Sequence, residues 1–440
     1  MMNPLPTTPA APEPEWAGFL AIDWSDQKHC WKLLVAESQQ TETGELVHTP
    51  EAVQAWAAEW HRRFAGRPLA VCVEQKRGAL VYMLSKFPHL VLFPVHPTTS
   101  AHFRQAFYPS GCKSDPVDTD LLLSILVYHR QHLRRLDPDT PATRLLQILV
   151  EQRRKLVDDR TRYSNQLTAW VKMYFPQVLD WIDDIDSAMG CDLLERWPSL
   201  EQLQQVKPNH LHAFFIEHNS RSEERIQQRI QAIYQATRAV ADPALLQGGP
   251  AVVTGLVAVL KTLNAQIAEL DRLIQQAEID HPDAGLYAAL PGAGPALRPR
   301  LIVAFGTQRE RYSIANQIQS YSGIAPARAQ SGGSETAHFR RACPKFLRQT
   351  FHEFAAHSIT KSPWARAYYD QQKQKGKGHH AAVRALAFKW IRILFRCWKN
   401  RTPYDEKTYL DALEKHHSPV FTSVRWQTVA GFKKISLENS

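Results

Sequence analysis

Four carboxylates set the chemistry open to this chain: Asp23, Glu74, Asp115 and Asp118. Asp23 closes the apolar run Phe19-Leu20-Ala21-Ile22, and Glu74 closes Leu69-Ala70-Val71-Cys72-Val73. Both runs are short, apolar and bounded by polar breaks, the pattern of buried strands. A bare carboxylate at the end of such a strand is expensive, so each acid needs a partner. Asp115 and Asp118 stand three apart at the start of an apolar helix and share a face. No pool of Lys or Arg is evident beside the acids, and oxygen ligands of this kind suit Mg²⁺ or Mn²⁺. A divalent ion can activate a nucleophile and stabilise the leaving oxygen of a phosphodiester; a pair of ions does both. Asp115 precedes Pro116, so a plain helix N-cap is the competing reading there. Asp26 and Asp120 read as turn and surface residues.

The elements that must position these acids alternate between strand and helix. Strands are expected at 17–23 and 29–36 as a hairpin, with a third near 45–48. Helix 50–64 follows, opened by Thr49-Pro50-Glu51, then strand 69–74, helix 78–87, strand 90–95 and helix 116–134. The order βββαβαβα is that of a ribonuclease H-like α/β fold, in which the first and fourth strands lie side by side. That adjacency would bring Asp23 to Glu74. The stretch around Tyr108 to Lys113 reads as a mobile loop.

The middle of the chain changes period. Leu145, Leu149, Leu156, Tyr163, Leu167, Trp170 and Tyr174 follow three- and four-residue steps, with Gln152 and Asp159 filling two slots. Leu256, Leu260, Leu263, Ile267, Leu270 and Ile274 repeat the spacing without a gap. Such steps specify a coiled-coil seam, which could close within one chain or between two.

The last third is mainly helical and basic. From Arg298 to Ser440 there are 25 Lys/Arg against 9 Asp/Glu, whereas the whole chain carries +10. The excess, with Trp364, Tyr368, Tyr369, Trp390 and Trp398 interleaved, points to a polyanion-binding face; a solubilising surface over core aromatics is the alternative. Leu290-Pro291-Gly292-Ala293-Gly294-Pro295 resembles a helix-hairpin-helix turn whose N–H groups could meet a phosphate through Gly292 and Gly294, or is an ordinary tight turn. Gln330-Ser331-Gly332-Gly333-Ser334 is a flexible polar loop. By composition it is a linker, although the downstream cations Arg340, Arg341, Lys345 and Arg348 could hold a scissile phosphate. Tyr368 and Tyr369 are other candidate nucleophiles, weighed against aromatic packing.

With 440 residues, 44% hydrophobic and 22% charged, the chain belongs to the soluble globular class. No segment is expected to approach a transmembrane span, and the Pro-rich start lacks the features of a signal peptide. Six scattered cysteines without a CxxC pair indicate neither a zinc site nor a disulfide framework, so a reducing cytoplasm is the expected setting, with nucleoid association following from DNA binding by the basic third. The expected divisions are a disordered tail (1–15), the acidic catalytic domain (16–136), a coiled-coil helical domain (137–283) and a C-terminal domain (284–432).

In order, these motifs resemble the DEDD-type transposases of bacterial insertion sequences (the IS-one-ten group, or bridge recombinases, with the Piv invertases as relatives). The matching residues are Ala21-Ile22-Asp23-Trp24-Ser25, Glu74 followed by Gly78, and Lys113-Ser114-Asp115-Pro116-Val117-Asp118. Further on they are Leu290 to Pro295, Tyr321-Ser322-Gly323-Ile324-Ala325-Pro326, and Ser331-Gly332 with Leu347-Arg348 beyond. One segment departs: Arg341-Ala342-Cys343-Pro344 stands where members often carry Lys-Arg-Gly-Asn.

The resemblance implies a RuvC-like domain with Asp23, Glu74, Asp115 and Asp118 as its metal-binding acids. It also implies a C-terminal transposase domain whose Ser331 forms a covalent phosphoserine link to DNA. The two sites would form a composite site between subunits of a homo-oligomer, a dimer or tetramer. Target and donor double-stranded DNA would be recognised through an element-encoded guide RNA, and no membrane is implied. A metal-dependent nuclease or Holliday-junction resolvase using the acids alone, and a non-catalytic RNA–DNA scaffold, are the competing readings.

Overall fold

A computed structural model describes residues 14–107, 115–331 and 334–420. Most of the Pro-rich tail, the 108–114 loop with its Lys113-Ser114 motif, Gly332 and the end of the chain lie outside the described residues. Two compact units divide at Pro138/Asp139.

In the first unit, β1 (Gly18–Asp23), β2 (Lys28–Val35) and β3 (Thr41–Val47) form an antiparallel meander. Helix α1 (Pro50–Arg63) leads to β4 (Leu69–Val73), and α2 (Ala79–Leu84) to β5 (Leu90–Pro94). The sheet order is β3-β2-β1-β4-β5, with β1, β4 and β5 parallel. Side chains alternate across the sheet with a period of two. One face (Leu20, Ile22, Leu33, Val71, Val73) packs with Val53, Trp56 and Leu80 of α1 and α2. The other (Ala21, Ala70, Cys72, Phe93) packs with Leu121, Leu122, Ile125 and Leu126 of α4 (Asp115–His129). Thr49 caps α1, accepting from the Ala52 N–H, and Pro50 occupies its first turn.

The expected α/β order and the β1–β4 pairing are observed, with one addition. Helix α3 (Pro97–Phe107) lies between β5 and α4 where no element was expected. Its sequence gives little apolar signal, and Ser100 is the residue it buries. The helix expected at 116–134 ends at His129 and continues as a single 3₁₀ turn, Arg130–His132.

The second unit is built on two long helices, α5 (Pro141–Tyr174) and α11 (Pro243–Ile279). They run antiparallel within one chain. Leu146 and Val150 share a core cluster with Ile274, while Leu167, Val171 and Tyr174 share another with Val253, Val257 and Leu260. On α11 the fully buried stripe is Val253, Val257, Leu260, Ile267 and Ile274. Three members of the expected seam (Leu260, Ile267, Ile274) lie in this stripe; Leu256, Leu263 and Leu270 flank it half-buried. On α5, Leu145 is half-exposed because its neighbour Leu146 faces the core. Next to the Val150 and Ile274 end of the pair, the Arg153–Asp271 ion pair links the two helices at a partly exposed edge. Five short helices bridge the pair: α6 (Val178–Trp181), α7 (Ala188–Arg196), α8 (Leu200–Gln204), α9 (Pro208–Glu217) and α10 (Glu223–Gln235).

One 18-residue window of α11 has mean hydropathy 1.6, apolar enough by length and composition to cross a membrane. This corrects the expectation that no segment approaches such a span. The helix packs on α5 and α7, and its exposed residues include small ones (Ala244, Gly248, Ala251, Gly255, Ala258) beside Val252, Val259 and Lys261.

The C-terminal part contains α12 (Ala284–Tyr287), α13 (Arg298–Phe305), α14 (Ala315–Tyr321), the hairpin β6 (Ala327–Ser331) and β7 (Ser334–His338), and four further helices. These are α15 (Lys345–Ser358), α16 (Pro363–Gln374), α17 (His379–Asn400) and α18 (Glu406–Lys415). Trp364, Trp390 and Trp398 are fully buried here, and each indole N–H is satisfied: by the Tyr404 hydroxyl, the Ser358 hydroxyl and the Gly306 carbonyl. These three are core aromatics, so the reading of them as an interleaved nucleic-acid surface does not hold. Replacing Leu167, buried where α5 meets α11, by Ala is expected to cost about 2–5 kcal/mol in denaturant unfolding.

Candidate active site

The first unit gathers its acids at the C-terminal ends of the parallel strands. Ile22 pairs with Val73 across β1 and β4, so Asp23 and Glu74 occupy the next positions on neighbouring strands. Both are half-buried. Asp118 lies in the first turn of α4 and is only 3% exposed. Asp115 begins α4, one turn earlier; its side chain lies outside the described residues.

Helix α3 supplies partners to two of the acids. The Ser100 hydroxyl donates to Glu74 Oε1 at 2.5 Å, and Arg104 Nη2 donates to Asp118 Oδ1 at 2.5 Å. Positions 100 and 104 are one helical turn apart on the same face. Glu74 and Asp118 are therefore tied to one stripe of α3, and strand register sets Asp23 beside Glu74. Arg104 is a basic partner of one acid that the sequence did not single out. The Arg104 Nε is buried without a hydrogen-bond partner, so the guanidinium serves the carboxylate through its Nη2. Beside Glu74, burial and then the carboxylate's own charge push the Cys72 thiol far up, which leaves it neutral and unreactive.

By donor chemistry, the set of oxygen ligands fits a hard divalent cation. Among the described residues no three His, Cys, Asp or Glu side chains form a ready-made metal-binding group, and Arg104 neutralises the most buried acid. Ser100 and Arg104 were missed in the sequence because α3 lacks periodic apolar spacing.

In the second unit, Ser331 is the last residue of β6 and pairs with Ser334 of β7; its side chain lies outside the described residues. The hairpin runs directly into Arg340 and Arg341, and Lys345 opens α15. Arg340 Nε donates to the Ala325 carbonyl at 3.4 Å, and Arg348 Nη1 to the Arg340 carbonyl at 3.2 Å. Chain order and these contacts place Arg340, Arg341, Lys345 and Arg348 beyond the serine hairpin. Gly292 has φ +80°, and a Cβ there would lie 2.8 Å from the His357 carbonyl. Its glycine thus permits the turn to touch the end of α15, while Gly294 is open. The departing segment also has a local reason. Cys343 packs under Gly323, which has φ +72°, and Pro344 forms the N-cap position of α15. Tyr368 is half-buried with its hydroxyl pushed up by burial and the Lys389 ammonium 4.7 Å from its ring. Tyr369 shares a hydrogen bond with His379 at 2.8 Å.

An α/β unit with acids at parallel strand ends, followed by a helical unit bearing a serine hairpin and a cationic stretch, is the layout of a DNA strand-transfer enzyme. Residues 20–176 match the IS110-type DEDD transposase family, and residues 285–370 match the transposase family IS116/IS110/IS902. The first stretch contains all four acids and the second contains Ser331. The chain belongs to the IS110 family of transposases. A mini-circle IS117 protein of Streptomyces coelicolor, named as its transposase, is 25% identical over 406 residues, 88% of this chain and 95% of the relative. The IS110 43.6 kDa protein of the same organism is 26% identical over 68% of this chain and 74% of its own length. The pilin gene-inverting protein of Moraxella bovis is 28% identical over 151 residues, 32% of this chain and 46% of its own.

Removing the Arg104 side chain strands a nearly buried carboxylate. Arg104 is partly solvated, which reduces the penalty, so Arg104→Ala is expected to destabilise the first unit by about 2 kcal/mol in urea unfolding. Adding Asp118→Asn should restore part of that loss.

Proposed function

We propose that this transposase is an RNA-guided DNA recombinase that cuts and rejoins strands through a phosphoserine at Ser331, with Asp23, Glu74, Asp115 and Asp118 of a RuvC-like domain holding Mg²⁺ or Mn²⁺. The observation that carries the acidic half is the shared end of β1 and β4, with Glu74 and Asp118 tied to one face of α3. The serine half is supported by the match of residues 285–370 and by the cations that follow the hairpin. Kinship with a gene-inverting protein supports rejoining as part of the reaction. The basic last third supports a reader of nucleic-acid backbone and shape, the task left to a protein when base pairing carries the sequence.

In the proposed chemistry the Ser331 hydroxyl oxygen bonds to phosphorus while one deoxyribose oxygen departs. The serine proton is lost and the departing oxygen gains one. The phosphoserine conserves the bond, so a second DNA hydroxyl can displace the serine without ATP. Arg340, Arg341 and Lys345 hold the phosphate by charge-assisted hydrogen bonds, with Arg348 following them on α15. A bound divalent cation would neutralise charge developing on the phosphodiester oxygens. Arg104 and Ser100 keep the acids oriented toward the strand ends.

Ser331→Ala should abolish covalent protein–DNA adducts on denaturing gels while leaving DNA binding within about twofold; adducts that persist would reject this nucleophile. Free DNA ends with no attached protein would favour the nuclease reading. Asp118→Asn and Glu74→Gln should each reduce cleavage by at least about 100-fold. RNA recovered with the purified protein and mapping beside its gene would support guidance, and active protein free of RNA would refute it.

A further inference from the structure

Two helices of the second unit turn positive faces toward each other. On α15, Arg348 and His352 are one turn apart; on α17, His380 and Arg384 have the same spacing. The rings of His352 and His380 lie 5.6 Å apart, and His379 is 5.1 Å from His380. Phe339, the residue after β7 and half-exposed, draws in both guanidiniums: Arg348 lies 4.8 Å and Arg384 5.2 Å from its ring centre. The cluster opens to solvent at His379 and His380.

Glu353 is the carboxylate whose charge acts on His352, but it is paired elsewhere. Glu353, next to His352, is held by Arg300 at 2.5 Å and reached by Arg154 at 3.5 Å. Among the described residues no carboxylate forms an ion pair with Arg348 or Arg384. Helix α17 also begins without a side-chain cap, at Gly378, which leaves its N–H groups pointing at the same end. Burial, followed by the charges of His380 and Arg384, holds the His352 imidazole below its usual range. Each guanidinium stands one turn from an imidazole on its own helix, and the two such pairs face each other. Two guanidiniums would repel a metal ion from these imidazoles, so an anion is the fitting ligand. A phosphodiester suits it best, because guanidiniums pair with its non-bridging oxygens and imidazoles donate to them.

We propose that the cleft between α15 and α17, formed by Arg348, His352, His380 and Arg384 and braced by Phe339, binds a backbone phosphate of a nucleic-acid strand. The choice of nucleic acid as the source of that phosphate rests on the transposase reading. Its bracing residue Phe339 lies eight residues beyond Ser331, and Arg348, the first of its cations, seventeen, so the site would position the strand rather than react with it.

The test uses the full chain and short fluorescent oligonucleotides, as single-stranded DNA, duplex DNA and RNA of one sequence. The double variant His380→Gln, Arg384→Gln should bind at least one probe about tenfold more weakly near 150 mM salt, with a shallower dependence of affinity on salt. The probe that loses affinity identifies the strand. Arg384→Lys should retain most binding, and Lys407→Gln, an exposed charge on α18, should change nothing. Phe339→Ala, at a half-exposed position, should weaken binding with native melting and carries the test if the double variant fails to fold. Unchanged affinity and salt slope for all three probes, in natively melting variants, would overturn the assignment. Because binding is read and not joining, failure of Ser331 as nucleophile would leave this result intact.

Discussion

The parallel pairing of β1 with β4 is the constraint on which the first unit depends. Asp23 and Glu74 are 51 positions apart in the chain, with β2, β3 and α1 between their strands, and the register Ile22↔Val73 closes that distance. A slip of one residue would turn Leu20 and Ile22 away from the α1 face and carry the acids to the wrong side. The apolar alternation on both faces of the sheet forbids that slip. The placement of the acids is thus enforced by core packing.

Putting carboxylates at that edge has a cost, and the fold offsets it with α3. Ser100 satisfies Glu74, and Arg104 compensates Asp118. A nearly buried acid retained with a cationic partner is a poor way to gain stability, which makes a chemical role the better account of Asp118. The second unit shows the opposite imbalance. Its cationic helices gather phosphate-matched groups beyond the serine hairpin, while its indoles and long helix pair carry the core.

Much of this was legible in the sequence because it follows from period and punctuation. The strand runs ending at Asp23 and Glu74 and the cap at Thr49 were readable for that reason, whereas the β1–β4 adjacency came from the order of elements. Helix α3 was not, since a helix that buries one serine leaves no hydrophobic rhythm, and with it went the partners of Glu74 and Asp118. The seam of α11 was read half correctly: leucines at 256, 263 and 270 look equal to the valines at 253 and 257, and only packing against α5 chooses between the stripes. Trp364, Trp390 and Trp398 misled in the same way, because their basic sequence neighbours face outward while the indoles face in. The cluster at His352 and His380 joins two helices far apart in sequence and has no linear signature.

The central claim is that the acids of the first unit hold a divalent ion, and iron-directed cleavage tests it most directly. Iron(II) bound in place of Mg²⁺ and supplied with hydrogen peroxide and ascorbate reduces the peroxide to hydroxyl radicals that cut the backbone beside the ion. The account predicts cuts clustered around residues 23, 74 and 115–118, suppressed by excess Mg²⁺ and lost in Asp118→Asn. Cuts elsewhere, or a pattern indifferent to Mg²⁺ and to that substitution, would contradict it.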